Sequence, residues 1–275
     1  MSPTDPVAGS LRFRPHAVTK PWGGYELARR LARVRGQGVA GLPIGESWEF
    51  VPGGEHASVI EGGVHDGRRI DDALTTPPPV MVKLLDSATD LSLQVHSRKW
   101  EAWLILASHP GAQLYSGLRE GVRRDDLTAA LDACDSPEIR RCLRSIELAP
   151  GDFLVNPPGT LHAIGGGFML LEVQTPFEET WRLWDWDRDR QADPERPLHR
   201  DEAMTALDET SRPALLPPTS RAVQAPGFEI SLPAREGGRA CLRGPGFEID
   251  IELGTPLGST FDLRLISQDV IRRSE

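Results

Sequence analysis

With 275 residues and a formal net charge of −9, the chain is long enough to bury a core without disulfides and too acidic to be drawn to nucleic-acid phosphates. Its three cysteines, Cys134, Cys142 and Cys241, form no CxxC pair, which suits a reducing cytoplasm and argues against a cysteine metal site. The opening MSPTDPVAGS has no basic region leading into an apolar core, and no apolar run approaches the ~20 residues of a membrane span, so a soluble, cytoplasmic protein is expected, with neither nucleic acid nor membrane as partner.

Proline (24) and glycine (27) recur along the chain and separate short runs of strand-forming residues. In chain order these runs are 48–51, 80–85, 91–96 and 103–106, then, after an interruption, 153–155, 168–173 and 180–184. Many short strands with turn signals between them predict an antiparallel sandwich or barrel. The interruption reads as helix. Leu127, Ala130, Leu131 and Cys134 recur at helical spacing, and Pro137-Glu138 opens a second helix, so a helical insert is expected over about 123–143. A third helix is expected over 198–207. The stretch from Arg212-Pro213 to Pro217-Pro218 reads as a linker, with further strands at 247–253 and 261–266. The expected organisation is a disordered N-terminus (1–10), a main domain (11–210), and a linker with a short C-terminal β region (211–275).

The densest chemistry lies in LSLQVHSRKWEAWLIL, residues 91–106. On a strand, Gln94 and His96 project to the same face. If Ser97 to Trp100 close a four-residue hairpin loop, His96 pairs directly with Glu101, their side chains about 5 Å apart. Far along the chain, in PGDFLVNPPGTLHAIGGG, His162 follows the turn at Pro157-Pro158-Gly159 and is the candidate for a further ligand. Two imidazoles, a carboxylate and an amide oxygen suit a borderline cation such as zinc, with a position left for water. Each residue also has an ordinary reading: His162 as a hydrogen-bonded turn or core histidine, Glu101 as a rim carboxylate, Gln94 as a polar strand residue. The grouping favours the metal. Lys83 interrupts the apolar run 80–85. Unless it is solvated at a strand edge, it needs an anionic neighbour, and a bound phosphate is favoured over an internal carboxylate.

Six segments resemble, in order, the successive motifs of class I mannose-6-phosphate isomerases over roughly residues 18–208: KPWGGYEL (20–27), GESWEF (45–50), VKLLDSATDLSLQVH (82–96), KWEAW (99–103), PPGTLHAI (157–164) and EVQTPFEETWRLWDWDR (172–188). The resemblance implies a mainly β fold built on a cupin-type jelly-roll barrel in the main domain, one zinc ion per chain, and a sugar phosphate as substrate. The implied reaction interconverts mannose 6-phosphate and fructose 6-phosphate by proton transfer through an enediol. It places Gln94, His96, Glu101 and His162 as the zinc ligands, Arg182 as a catalytic arginine, Glu172 as an acid/base carboxylate, and Lys83 and Ser92 in the substrate pocket. Two departures stand out. Only four residues separate His96 from Glu101, fewer than is usual in the family, and the C-terminal region is short.

Such an isomerase needs a base near C1 and C2, donors for a developing oxyanion and an anchor for the phosphate. Arg182 offers permanently charged donors to an enediolate or phosphate, unless it pairs with Asp185 or Asp187. Glu172 is the candidate base, with a zinc-bound water as its competitor. The alternatives to an isomerase are a non-catalytic, metal-containing cupin that binds a sugar or sugar phosphate, and a cupin oxygenase using iron at the same ligands.

Overall fold

The structure is a computed structural model describing residues 10–35, 41–177, 179–186, 188, 196–216, 222–225, 228–231, 238–255 and 257–267. Its organising element is a seven-stranded sheet in the order Ala214–Leu216, Phe153–Asn156, Glu101–Ser108, Phe168–Gln174, Met81–Ser87, His16–Gly24 and Ile44–Phe50. A five-stranded sheet packs on one face, ordered Leu143–Glu147, Gln113–Leu118, His162–Ile164, Leu93–Val95 and Trp181–Trp184. The pairings are antiparallel throughout, as the turn-rich sequence predicts. These are separate open sheets, and no closed barrel forms among the described residues.

The central strands are covered on both faces, which is why they read as nearly continuous apolar runs. In Glu101–Ser108, Trp103 and Ile105 face the five-stranded sheet, while Ala102, Leu104 and Leu106 face the other way. Phe168–Gln174 divides likewise, with Phe168 and Leu170 against Met169, Leu171 and Val173. The outer face packs on a six-stranded sheet that joins Ser10–Leu11 to five C-terminal strands, Ala222–Ala225, Phe228–Ser231, Gly238–Gly244, Phe247–Gly254 and Asp262–Ser267. Ser10 is therefore paired, with Ile266, and the C-terminal region forms a full sheet layer. Of the expected linker, Ala214–Leu216 is a strand on Phe153–Asn156, and Pro217 and Pro218 lie outside the described residues.

The helical insert appears as Arg124–Asp132 and Ser136–Cys142. With Arg200–Ala206 it covers the outer face of the five-stranded sheet, burying Leu127, Leu131, Ile139 and Ala203 against Leu93, Val95 and Leu183. A fourth helix, Glu26–Arg35, was not anticipated. Its Leu27, Ala28 and Leu31 pack on the seven-stranded sheet, and its first turn is capped from afar, Leu27 N–H donating to Asp86 Oδ2 at 2.9 Å. A Cβ at Gly24 would lie 2.4 Å from that carboxylate, so the cap needs glycine there. No described helix is long and apolar enough to cross a membrane.

Because Asp86 satisfies an N–H group that has no partner within the helix, Asp86→Ala is expected to lower the unfolding free energy by about 1–2 kcal/mol. Urea denaturation followed by circular dichroism measures this. An unchanged midpoint would mean that apolar packing alone holds the first turn.

Candidate metal centre and its cleft

Alternation along the buried strands sorts polar side chains onto the face between the two sheets. Glu101, Glu172, Gln174 and Lys83 all occupy the alternate positions that share a face with Trp103 and Leu170. In the facing sheet, Arg182, Gln94, His162 and Ser116 form one cross-strand row by register.

The metal residues meet across the gap between sheets. A His96–Glu101 hairpin pair does not exist: Leu93–Val95 pairs with the strands of His162 and Arg182, whereas Glu101 pairs with Asn156 and Gln174. Ser97 to Trp100 instead carry the chain from one sheet to the other, a step of about 10 Å that four residues span easily. The convergence survives this correction. His96 Nε2 lies 3.1 Å from Glu101 Oε1, and His162 Nε2 lies 3.2 Å from Glu101 Oε2. The three ligand atoms fall within 4.8 Å of one another, in residues no more than 2% exposed.

Hydrogen bonds fix both imidazoles. His96 Nδ1 is 2.8 Å from the Glu179 carbonyl, and His162 Nδ1 is 2.9 Å from the Thr160 carbonyl. A carbonyl only accepts, so His96 Nδ1 carries the proton and its Nε2 turns a lone pair toward the carboxylate; His162 does the same with the Asn156 amide, 3.0 Å from its Nδ1, turned to present oxygen. His96 Nε2 and Glu101 Oε2 are buried without a hydrogen-bond partner. Acceptors facing acceptors in a dry interior call for a cation, and two nitrogens and a carboxylate fit zinc. Gln94 reaches the same point, its Nε2 3.2 Å from His162 Nε2, so turning the amide over brings in an oxygen donor. Ser92 donates to that amide's Oε1 at 3.3 Å.

The electrostatics agree. Burial pushes the His96 imidazole down to about 4, against the pull of Glu101, so it is neutral at physiological pH and able to ligate. Burial pushes the Glu101 carboxyl up, but His96, Lys99 and His162 outweigh it and hold the group well below its ordinary value. Lys99, itself buried, places Nζ 2.9 Å from Glu101 Oε1.

A cleft holding about 600 Å³ of non-protein space, its open mouth included, runs from this point along the gap. That is a normal size for a small-molecule site. Lys83, Ser92, Gln94, Glu101, Glu172 and Arg182 all line it, and His96 and His162 lie against its Glu101. Glu172 is held on both oxygens, accepting from Trp103 Nε1 at 2.9 Å and lying 3.2 Å from Lys83 Nζ. Lys83 also donates to Gln174 Oε1 at 2.8 Å, so its anionic neighbour is the internal carboxylate of Glu172 rather than the favoured phosphate, because strand register sets the two side chains opposite each other. Burial lowers the Lys83 amine, but Glu172, Glu46 and Glu101 outweigh this and lift it to about 12. Asp185, weighed as a partner for Arg182, is engaged by Arg188 at 2.9 Å and Arg196 at 2.9 Å. Arg182 donates to the Pro197 carbonyl at 2.8 Å, and Asp187 lies outside the described residues.

Sequence reasoning passed over Lys20, Glu46, Lys99 and Arg196, which also line the cleft. Lys99 carried no strand signal, because it lies in the crossing segment just before the strand Glu101–Ser108. Arg196 had no local signal. Lys20, Lys83, Lys99, Arg182 and Arg196 against Glu46, Glu101 and Glu172 leave the lining net positive within an acidic protein.

No protein-family model matches the chain. Among curated proteins, mannose-6-phosphate isomerase ManA of Bacillus subtilis (strain 168) is 28% identical over 227 residues, covering 74% of this chain and 69% of the relative. The mannose-6-phosphate isomerase of Streptococcus mutans is 28% identical over 224 residues, covering 73% and 68%. Among solved structures, the mannose 6-phosphate isomerase of Bacillus subtilis superposes with a TM-score of 0.68 at 21% identity, covering 96% of this chain and 95% of that one. A zinc-bound mannose 6-phosphate isomerase superposes with a TM-score of 0.59 at 14% identity, covering 95% of each. The resemblance read from the six motifs thus extends to the fold of nearly the whole chain.

Lys83→Met would leave Glu172 buried without its cation, and is expected to cost about 3–5 kcal/mol of stability. Lys83→Met/Glu172→Gln should recover part of it, as chemical denaturation at pH 8 will show. Because folding raises the Lys83 pKa from 10.5 to about 12, the stability it contributes is full below pH 10.5 and is lost as pH rises through about 12. Equal stability of wild type and Lys83→Met would remove the ion pair from this account.

Proposed function

We propose that this chain is a mannose-6-phosphate isomerase, a cytoplasmic enzyme holding one zinc ion between the facing sheets of a cupin-type jelly roll. The observation that carries the reading is the meeting, in one cleft, of a three-residue metal cluster with the Glu172–Lys83 pair and Arg182. The curated relatives named as mannose-6-phosphate isomerases support it. His96, Glu101 and His162 would hold the zinc, with Gln94 as a further donor. Bound there, zinc supplies Lewis acidity toward sugar oxygens.

The remaining chemistry falls to the chain's own groups. Glu172 takes the C2 proton of the open-chain aldose, and the released electron pair forms the C1–C2 double bond as charge moves to O1. Arg182, the register neighbour of Gln94, donates to that developing charge beside the metal ligands. The O2 hydroxyl proton passes to O1, and Glu172 returns its proton to C1 as the C2 carbonyl forms. Trp103 Nε1 fixes one Glu172 oxygen and Lys83 balances its charge, so the carboxylate is held in one orientation. Ser92 Oγ lies beside the Gln94 amide and, with the amide turned over, accepts from its nitrogen. Arg196 lines the cleft with its guanidinium braced by buried Asp185, and with Lys20 it offers positive charge to the phosphate.

A coupled assay for fructose 6-phosphate formed from mannose 6-phosphate tests this, on protein of measured zinc content, with and without chelator. The expected result is turnover lost to chelator and restored by zinc. His162→Ala should lose zinc and turnover together, whereas Arg182→Ala should keep zinc and lose roughly 10²–10³ in kcat. Zinc-replete, folded protein without turnover would favour a sugar-phosphate-binding protein instead.

A further inference from the structure

The four residues between His96 and Glu101 are the direct covalent link between two metal ligands on different sheets, so whatever fixes them fixes both ligands. A segment far along the chain does this. Thr175 N–H donates to the Trp100 carbonyl at 3.0 Å, and Trp100 N–H donates to Thr175 Oγ1 at 3.0 Å, anchoring the end of the loop next to Glu101. At the other end, Trp181 Nε1 donates to Ser97 Oγ at 2.9 Å, and the Glu179 carboxylate accepts from Ser97 N–H. Arg98, between them, lies 3.7 Å from Glu179 Oε2 and stacks its guanidinium 4.8 Å from the centroid of Phe177. The Glu179 carbonyl then receives the Nδ1 proton of His96.

We infer that residues 175–177 and 179–181 form a clasp that presets the metal centre before the ion arrives, with Glu179 as its positioning residue. This rests on the metal-site reading above and deepens it. The carboxylate of Glu179 grips the loop, and the carbonyl of the same residue selects the His96 tautomer whose Nε2 can ligate. One residue thereby couples loop position to ligand chemistry. The short connection makes the device effective, because gripping Ser97 and Trp100 leaves little freedom for the ligands on either side. A preset site binds its ion without the loss of conformational freedom that an open loop would suffer, and outer partners of ligating histidines typically carry 10–100-fold in metal affinity.

The test uses the full chain and zinc alone as probe. Zinc affinity is measured by competition with a chromophoric chelator for wild type, Glu179→Ala and Glu179→Gln. The His96 tautomer is read in metal-free protein from its ¹⁵N shifts. The expected result is a zinc Kd raised about 10–100-fold in Glu179→Ala. Without the carboxylate grip on Ser97, the backbone carbonyl that the substitution retains should drift from His96 Nδ1 and leave a mixture of tautomers, with the melting temperature of the metal-free protein nearly unchanged. Glu179→Gln, which keeps an acceptor for Ser97 N–H, should lie nearer wild type. A Glu179→Ala protein with wild-type zinc affinity and a single Nδ1–H tautomer overturns the clasp. Wild-type protein that takes up no zinc overturns the metal-site reading instead, and the tautomer comparison in metal-free protein still decides whether Glu179 sets His96.

Discussion

A carboxylate buried between two imidazole lone pairs is the interaction on which the rest of this structure turns. Glu101 is 2% exposed and faces His96 and His162, each 1% exposed, with both Nδ1 protons already committed to carbonyls. Such a group is unstable in a dry interior unless positive charge offsets its desolvation. Lys99 supplies part of that charge, and a divalent ion bound by the same three groups would supply more. The layered architecture keeps these three side chains buried. One sheet brings Glu101, the other brings the histidines, and further layers cover each sheet from outside.

The same inward face separates the His96–Glu101–His162 cluster from the Glu172–Lys83 pair. Glu101 and Gln174 are register partners, and two residues away along the strand Glu172 pairs with Lys83 and Trp103. Glu101 and Glu172 lie on adjacent strands of one sheet face, two register positions apart, and would repel if both stood alone. Here Lys99 neutralises one and Lys83 the other, so the face alternates in charge along its length. The basic residues left over give the cleft a positive lining, concentrated locally in a chain of net charge −9.

Much of the fold was legible because burial leaves a strong mark. The runs at 80–85, 103–106 and 168–173 are apolar on both faces because their strands are central in a covered sheet, and the lone Lys83 marked the polar face. The insert's helices showed through Leu127, Leu131 and their spacing. The helix Glu26–Arg35 had a readable signal in Leu27, Ala28 and Leu31, yet its start is set by Asp86, nearly sixty residues away. The C-terminal strands were recognised singly, but their union with Ser10–Leu11 in a six-stranded layer depends on pairing between chain ends, which local pattern does not encode.

Residue types and strand faces could be read from the chain alone: which positions alternate inward, and that Gln94, His96, Glu101, His162, Glu172 and Arg182 are the candidate groups. Side-chain period on a strand is two whatever the strand pairs with, so faces survive errors of topology. The tertiary structure decided who meets whom. His96 reaches Glu101 across facing sheets rather than along a ladder, Lys83 finds Glu172 on the adjacent strand, and Glu179 returns from far along the chain to fix an imidazole. Those meetings are set by how sheets stack and where loops cross. The responsible contacts lie tens of residues apart in sequence and only ~3 Å apart in space, the length of a hydrogen bond.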